Sequence, residues 1–448
     1  DSSTSRGLGD VYKRQHIHRM NNEKQAQDIL RGNAVVGQSG GPTAAINATL
    51  AGVIRGVTDL RRGRGECPIR HLYGMKNGVD GLLRGELIDL DLLFDPAVVG
   101  SEENLDTLTL TPSSALGSCR RRLPAPGAPD EDAVMGQLLR ILREHDIRYF
   151  FYIGGNDSMD TVAKLSAYAE AHGYEMRVIG VPKTIDNDLE GTDHTPGYGS
   201  AAKYIAVTVQ EILRDTAVYT APAVTVVEIM GRGAGWLTAA ASLGRRVMDS
   251  EPDLVYLPER PFRFEEFYED VADALQKHPN VVVAVSEGLK LPDGRYVGES
   301  AQSGSVDAFG HKYLAGTGKA LELAVREKFG CKVRSVELNL PQRCAAHLAS
   351  AQDIEESLAV GAAAVRAAVA GISRVMMTIR RTSDQPYAYA IDHADIFAVA
   401  NRTRAVPDAY INRRGNRVTD ACLDYLLPLI RGERYPIYEN GLPRHMIL

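Results

Sequence analysis

The stretch that most constrains the fold is residues 151–191, FYIGGNDSMDTVAKLSAYAEAHGYEMRVIGVPKTIDNDLEG, where two apolar runs each end in a polar loop. The first loop is Gly154-Gly155-Asn156-Asp157-Ser158, and the second is Pro182-Lys183-Thr184-Ile185-Asp186-Asn187-Asp188. Between them Val162, Leu165, Tyr168 and Ala169 recur at helical spacing, and Gly173 supplies a stop. This pattern predicts strand, helix and parallel strand, which puts both loops on the sheet edge where α/β proteins bind ligands. Paired glycines admit a phosphate close to the backbone, and the helix that follows points its N-terminus at the anion. Three carboxylates, Asp157, Asp186 and Asp188, then face Lys183. Such a set suits phosphoryl transfer, in which a metal and cations neutralise charge while one carboxylate takes a proton.

The flanking chain repeats the alternation. NAVVGQ (33–38) reads as a strand, Ser39-Gly40-Gly41-Pro42 as a glycine turn, and AAINATLAGVIRGV as a helix with Ile46, Leu50, Val53, Ile54 and Val57 on one face. Residues 71–83 read as loop and short elements. Gly117-Ser118-Cys119-Arg120 opens a run of three arginines, which suits a solvated surface as well as a phosphate contact. The strand AVTVVEIMG leads through Met230-Gly231-Arg232-Gly233 into another helix, a second place for an anion. Glu287 closes the strand VVVAVSEG, and KVRSVELN precedes Leu340-Pro341-Gln342-Arg343. An Ala-rich helix over 353–371 and the strand RVMMTIRR follow; beyond 381 the pattern loosens into an extension with no assignable chemistry. Strands alternating with helices imply a parallel-sheet α/β protein.

Bulk properties exclude several classes. The 448 residues have room for more than one lobe. A formal net charge of −6 gives nucleic acid binding no support at the level of the whole chain. No uninterrupted apolar run reaches the roughly 18 residues of a membrane span. The five cysteines are scattered and form no C-x-x-C pair, against a disulfide framework or a zinc site, as expected of a reducing cytoplasm. Residues 1–19 precede the first methionine, Met20, and lack the apolar core of a signal peptide; they read as a non-native or disordered leader.

Taken together, seven loops in this order resemble the phosphofructokinase family: S-G-G at 39–41, G-S-C-R at 117–120, G-G-N-D-S at 154–158, P-K-T-I-D-N-D at 182–188, M-G-R at 230–232, S-E-G at 286–288 and P-Q-R at 341–343. The resemblance covers about residues 33–380. It implies two Rossmann-like lobes with mostly parallel sheets and an active site in the cleft between them. By position it implies Asp186 as general base toward the 1-hydroxyl of fructose 6-phosphate, with Asp188 orienting the base or the metal. It implies sugar-phosphate roles for Thr184, Ile185, Met230, Gly231, Arg232, Glu287, Leu340 and Arg343. Arg334 is of the kind this family lends across a subunit interface, so a homodimer or homotetramer is expected. Gly41, Arg120 and Ser158 fall on the donor side, and magnesium is the expected metal, with Asn156 at its position.

Two residues bear on the donor. ATP-dependent relatives have glycine where Asp157 stands and a small residue where Lys183 stands, whereas the sequence here resembles pyrophosphate-dependent members. The physics agrees: a carboxylate at 157 repels the α-phosphate of ATP, and Lys183 binds a free pyrophosphate oxygen. Asn156 replaces the usual aspartate, a weaker metal ligand. Ala223 and Leu340 stand where many ATP-dependent members place an arginine and a histidine, and Pro42-Thr43-Ala44-Ala45 replaces the usual D-x-P-G. The expected activity is therefore a reversible, glycolytic transfer between pyrophosphate and fructose 6-phosphate. The alternatives are an ATP-dependent 6-phosphofructokinase and a non-catalytic sugar-phosphate-binding subunit. A dinucleotide-binding domain is disfavoured because no G-x-G-x-x-G opens the first helix. The expected boundaries are a donor lobe over 20–190 to which part of 310–335 returns, a sugar-phosphate lobe over 191–310 continued by 336–380, and an extension over 381–448.

Overall fold

The computed structural model describes residues 29–63, 65–299 and 316–448. The leader at 1–19 and residues 310–315 of the segment expected to return to the donor lobe lie outside them. The strands that build the site are, in chain order, β1 (Gly32–Gln38), β2 (Ile69–Met75), β3 (Leu87–Asp89), β4 (Ile147–Gly154), β5 (Arg177–Pro182), β6 (Ala223–Ile229), β7 (Leu254–Tyr256), β8 (Asn280–Ser286), β9 (Lys332–Glu337), β10 (Val375–Asp384) and β11 (Tyr387–Asp395). They form a seven-stranded sheet in the order β11-β10-β5-β4-β1-β2-β3 and a four-stranded sheet in the order β7-β8-β6-β9. The smaller sheet is parallel throughout. In the larger one only the edges, β2 with β3 and β10 with β11, run antiparallel.

Central β4 is buried along nearly its whole length, as a strand covered on both faces must be. Tyr149, Phe151 and Ile153 pack to one side with Leu50, Val53 and Ile54 of the helix Ile46–Arg62. Phe150 and Tyr152 pack to the other with Val162 and Leu165 of the helix Asn156–Ala171. A second apolar body joins the helix Tyr198–Thr216 to the smaller sheet. Because β1, β4 and β5 are adjacent and parallel, their carboxyl ends bring three loops together: the turn after Gln38, the one after Gly154 and the one after Pro182.

Several expectations change. Residues 69–75 are not loop but the parallel strand β2, paired with β1 through Leu72, Tyr73, Gly74 and Met75. The helix Thr317–Phe329 and β9 belong to the smaller sheet and do not return to the larger one, because β9 pairs with β6. Conversely, residues 336–380 do not simply continue the second lobe. The helix Ala351–Val369 packs on the helix Ile46–Arg62, and β10 pairs with β5. The 381–448 extension therefore begins inside a strand of the first sheet and continues through β11 as a hairpin.

The pair of helices Ile46–Arg62 and Ala351–Val369 approach backbone to backbone at two glycines. A Cβ on Gly52 would lie 2.2 Å from the Leu358 carbonyl oxygen, and one on Gly361 the same distance from that of Thr49. Neither helix can yield without parting the core behind it. Gly361→Val is expected to lower unfolding stability by about 3 kcal/mol, the upper end of overpacking costs. Urea titration measures it; an unchanged midpoint would mean that the helices separate freely at this crossing.

Candidate active site

The loops after β1, β4 and β5 face those after β6, β8 and β9 across a cleft of about 800 Å³. Asp157, Lys183, Asp186 and Asp188 line it together, so the three carboxylates and the lysine singled out in the sequence share one cavity. Gly41, Arg120, Asn156 and Ser158 line it on the side of the larger sheet; Met230, Arg232, Glu287, Leu340 and Arg343 line it from the smaller one. Thr184 and Ile185 complete the wall between them.

The donor side is assembled by backbone docking. Gly40 N donates to the Cys119 carbonyl at 3.0 Å, and Ser118 Oγ donates to the Gly40 carbonyl at 2.7 Å. That docking carries Arg120, the first of the three arginines, into the cleft; Arg121 instead pairs with Asp80 at 3.0 Å. Gly40 has φ +78, and a Cβ there would come within 3.3 Å of Lys183 Nζ. A Cβ on Gly41 would stand 3.5 Å from Arg343 Nη1 and 3.9 Å from Arg120 Nη2. Three cations thus gather around two glycines, beside the N-terminus of the helix Asn156–Ala171, as an anion site requires. Arg343 stands between donor and sugar sides, since its charge reaches Arg120 as well as Asp186 and Glu287.

Lys183 is buried and donates to the Gly41 carbonyl at 2.5 Å. Burial pulls its ammonium down to about 8, against the attraction of Asp186. Burial likewise pushes Asp186 up, opposed first by Arg232 and then by Lys183. Asp188 is pushed up to about 7, by burial first and by the neighbouring Asp186 charge second. Two carboxyls so close resist ionising together, which leaves a proton acceptor near neutrality. Asp157 faces the cleft, held 3.2 Å from Arg122. On the opposite side Glu287 accepts from Gly231 N at 3.3 Å and is raised to about 7, chiefly by burial.

Two expected residues lie elsewhere. Gly231 is absent from the lining: it sits behind the wall, where its N–H meets Glu287 and its carbonyl accepts from Ser286 Oγ at 2.5 Å. Arg334, in the middle of β9 opposite Thr225, lines a separate depression of about 90 Å³ with Lys332 and Tyr219. Strand direction explains it, because only residues at the carboxyl end of β9 reach the cleft. The sequence reading also missed lining residues: Glu228 and Glu337 at strand ends, and Asn401 and Thr403 in the extension. Strand-end position was the available signal for the two glutamates.

The profile of the Phosphofructokinase family matches residues 33–368. A pyrophosphate–fructose 6-phosphate 1-phosphotransferase of Xanthomonas campestris is 41% identical, over 94% of this chain and 97% of its own. The protein of the same name from Methylococcus capsulatus is 40% identical, over 93% of this chain and 96% of its own. A crystal structure of a pyrophosphate-dependent phosphofructokinase from Marinobacter aquaeolei superposes with a TM-score of 0.80 at 38% identity, covering 92% of this chain and 95% of that one.

The raised carboxyls and lowered lysine set the pH response. Were Asp188, pushed up to about 7, needed ionised and Lys183, pulled down to about 8, needed charged, activity would fall as pH drops through about 7 and again above about 8. A bell with limbs near these values is expected in kcat/KM for pyrophosphate. In Lys183→Met the alkaline limb should vanish, and its survival would assign that limb to another group.

Proposed function

The chain belongs to the phosphofructokinase family, and we infer that it is a diphosphate–fructose-6-phosphate 1-phosphotransferase. It moves a phosphoryl group from pyrophosphate to the 1-hydroxyl of fructose 6-phosphate, giving fructose 1,6-bisphosphate and phosphate. The observation that carries this reading is the placement of Asp157, Lys183 and Asp186 in a single cleft. Lys183, Arg120 and the helix start bind pyrophosphate; Asp186 takes the hydroxyl proton as its oxygen attacks phosphorus. Arg232 and Arg343 grip the sugar phosphate, and Glu287 accepts from sugar hydroxyls. Pyrophosphate and the product ester release similar free energy, so the transfer runs both ways.

Magnesium suits this site. Asn156 Oδ1 is buried and has no hydrogen-bond partner among the described residues. Magnesium takes few protein oxygens and completes its shell with water and phosphate oxygens. Asn156 and Asp188 would hold it, and it would supply neutralisation of the donor's charge.

Arg334 faces away from its own cleft, which supports a homodimer or homotetramer in which a second copy receives it. Five free cysteines, and no described helix long and apolar enough to cross a membrane, support a cytoplasmic enzyme.

Parallel assays with pyrophosphate and ATP test the donor assignment. Turnover with pyrophosphate alone is expected. Exchanging both residues (Asp157→Gly with Lys183→Gly) should erode that selectivity, whereas an unaltered preference would remove these two side chains from donor choice. For the base, Asp186→Ser should lower kcat by about 10² to 10⁴-fold with little change in fructose 6-phosphate affinity. A near-normal rate would transfer the role to another group.

A further inference from the structure

The loop that carries Asp186 and Asp188 continues to Thr195 and is wrapped around a residue from the extension. Arg404 donates through its guanidinium to the carbonyls of Asn187, at 3.1 Å, Thr192, at 3.3 Å, and Asp193. Its backbone N–H donates to the Asp188 carbonyl at 2.8 Å, and its neighbour Thr403 bridges to Leu189 as a short antiparallel pair. One residue thus satisfies four carbonyls of the same loop. Asn187, between the two carboxylates, is fully buried with φ +54. Its side chain donates to the Tyr425 hydroxyl at 3.1 Å and accepts from Thr195 N at 3.1 Å. Tyr425 in turn donates to the Asp193 carbonyl at 2.7 Å and accepts from Arg404 at 3.1 Å. Behind them the Arg404 guanidinium lies 4.7 Å from the Trp236 ring centre, and Trp236 Nε1 donates to the Arg404 carbonyl at 3.1 Å.

We propose that Arg404, backed by Tyr425, is a positioning residue for phosphoryl transfer: its fork fixes the backbone of residues 187–193, and with it the direction in which Asp186 and Asp188 face the cleft. The far end of the loop is also tied to β10, where Asp193 N donates to the Ile379 carbonyl at 2.8 Å and Ile379 N donates to Thr192 Oγ1 at 2.9 Å. Beside the two carboxylates, however, it is Arg404 that holds the carbonyls of Asn187 and Asp188. A guanidinium presents several donors in a fixed plane, which an ammonium cannot reproduce. In-line transfer is intolerant of displacement, and misplacing the base by about 1 Å costs about 10²-fold in rate. The segment also reaches the cleft directly, because Asn401 and Thr403 form part of its wall and Asn401 Nδ2 donates to Asp160 at 3.0 Å.

The proposal rests on Asp186 acting as base, and the experiment separates the two. Wild type, Arg404→Met, Arg404→Lys and Tyr425→Phe are each titrated with fructose 6-phosphate by calorimetry, well below their melting temperatures. Turnover is then expressed per binding site, with whichever donor the wild type uses. Positioning predicts a fall of about 10 to 100-fold per site in Arg404→Met, a smaller fall in Arg404→Lys and in Tyr425→Phe, and a Kd for fructose 6-phosphate within about threefold of wild type. A merely structural role lowers the number of sites and leaves turnover per site intact, which overturns the proposal. A Kd that weakens in step with turnover overturns it too, since the cleft itself would then have collapsed. Should Arg404→Met not fold, unchanged turnover per site in both Arg404→Lys and Tyr425→Phe is the overturning result. Wild type inert toward pyrophosphate would refute the activity assigned above while leaving the Arg404 comparison readable with another donor.

Discussion

The structure depends on keeping a lysine and two aspartates ionisable inside one turn that burial works to neutralise. Burial pushes Asp186 and Asp188 up and pulls Lys183 down, while each opposite charge pushes back. Such a balance survives only if the charges hold their spacing, because an isolated ion in dry protein costs far more than a paired one. The turn is accordingly fastened at both ends. Lys183 N donates to the Gly154 carbonyl at 2.9 Å, extending the pairing of β5 with β4, and at the far end Arg404 N donates to the Asp188 carbonyl at 2.8 Å. The parallel core of β1, β4 and β5 is what makes this attachment possible.

Two sheets, each presenting the carboxyl ends of its strands to one cleft, divide the chemistry. The larger supplies glycine turns, a helix start and cations, which suit a polyanion. The smaller supplies Glu228, Glu287 and Glu337 at strand ends, with Arg232 beside them. Those oxygens and one guanidinium suit a hydroxyl-rich phosphate ester. Arg343 stands where the halves meet, and its charge is disfavoured first by burial and then by the nearby Arg120.

How much of this was legible in the sequence follows from how local each signal is. The loops of the central unit could be read because a strand end, a glycine pair and a helix start lie within a few residues of one another. Residues 69–75, IRHLYGM, were hidden because two of the seven, Arg70 and His71, point to solvent and break the apolar run of a buried strand. Arg404 and Tyr425 were hidden for a different reason: each acts on a loop more than 200 positions earlier, and neither stands in a local pattern. Arg334 shows the converse. The resemblance singled it out, but whether it reaches the cleft depends on its depth within β9, and periodicity does not fix that depth.

A carboxylate at 157 is at odds with a pocket for a polyanion, and its pairing resolves the conflict. Arg122 stands 3.2 Å from Asp157, so what the donor meets at that point is an ion pair with little net charge. A fully charged carboxylate would repel pyrophosphate as well as ATP; an unpaired arginine would attract the extended phosphate chain of a nucleotide. The pair does neither, and it fills space at the start of the helix Asn156–Ala171. On the reading proposed above, pyrophosphate would tolerate this, its two phosphorus centres lying against Lys183, Arg120 and the backbone. ATP would have to place its α-phosphate and ribose beyond them, against the space that this pair fills. Because the Arg122 side chain is half-exposed, parting the pair costs only about 0–1 kcal/mol, so selection against a larger donor would come from the space that Asp157 and Arg122 fill rather than from the bond between them.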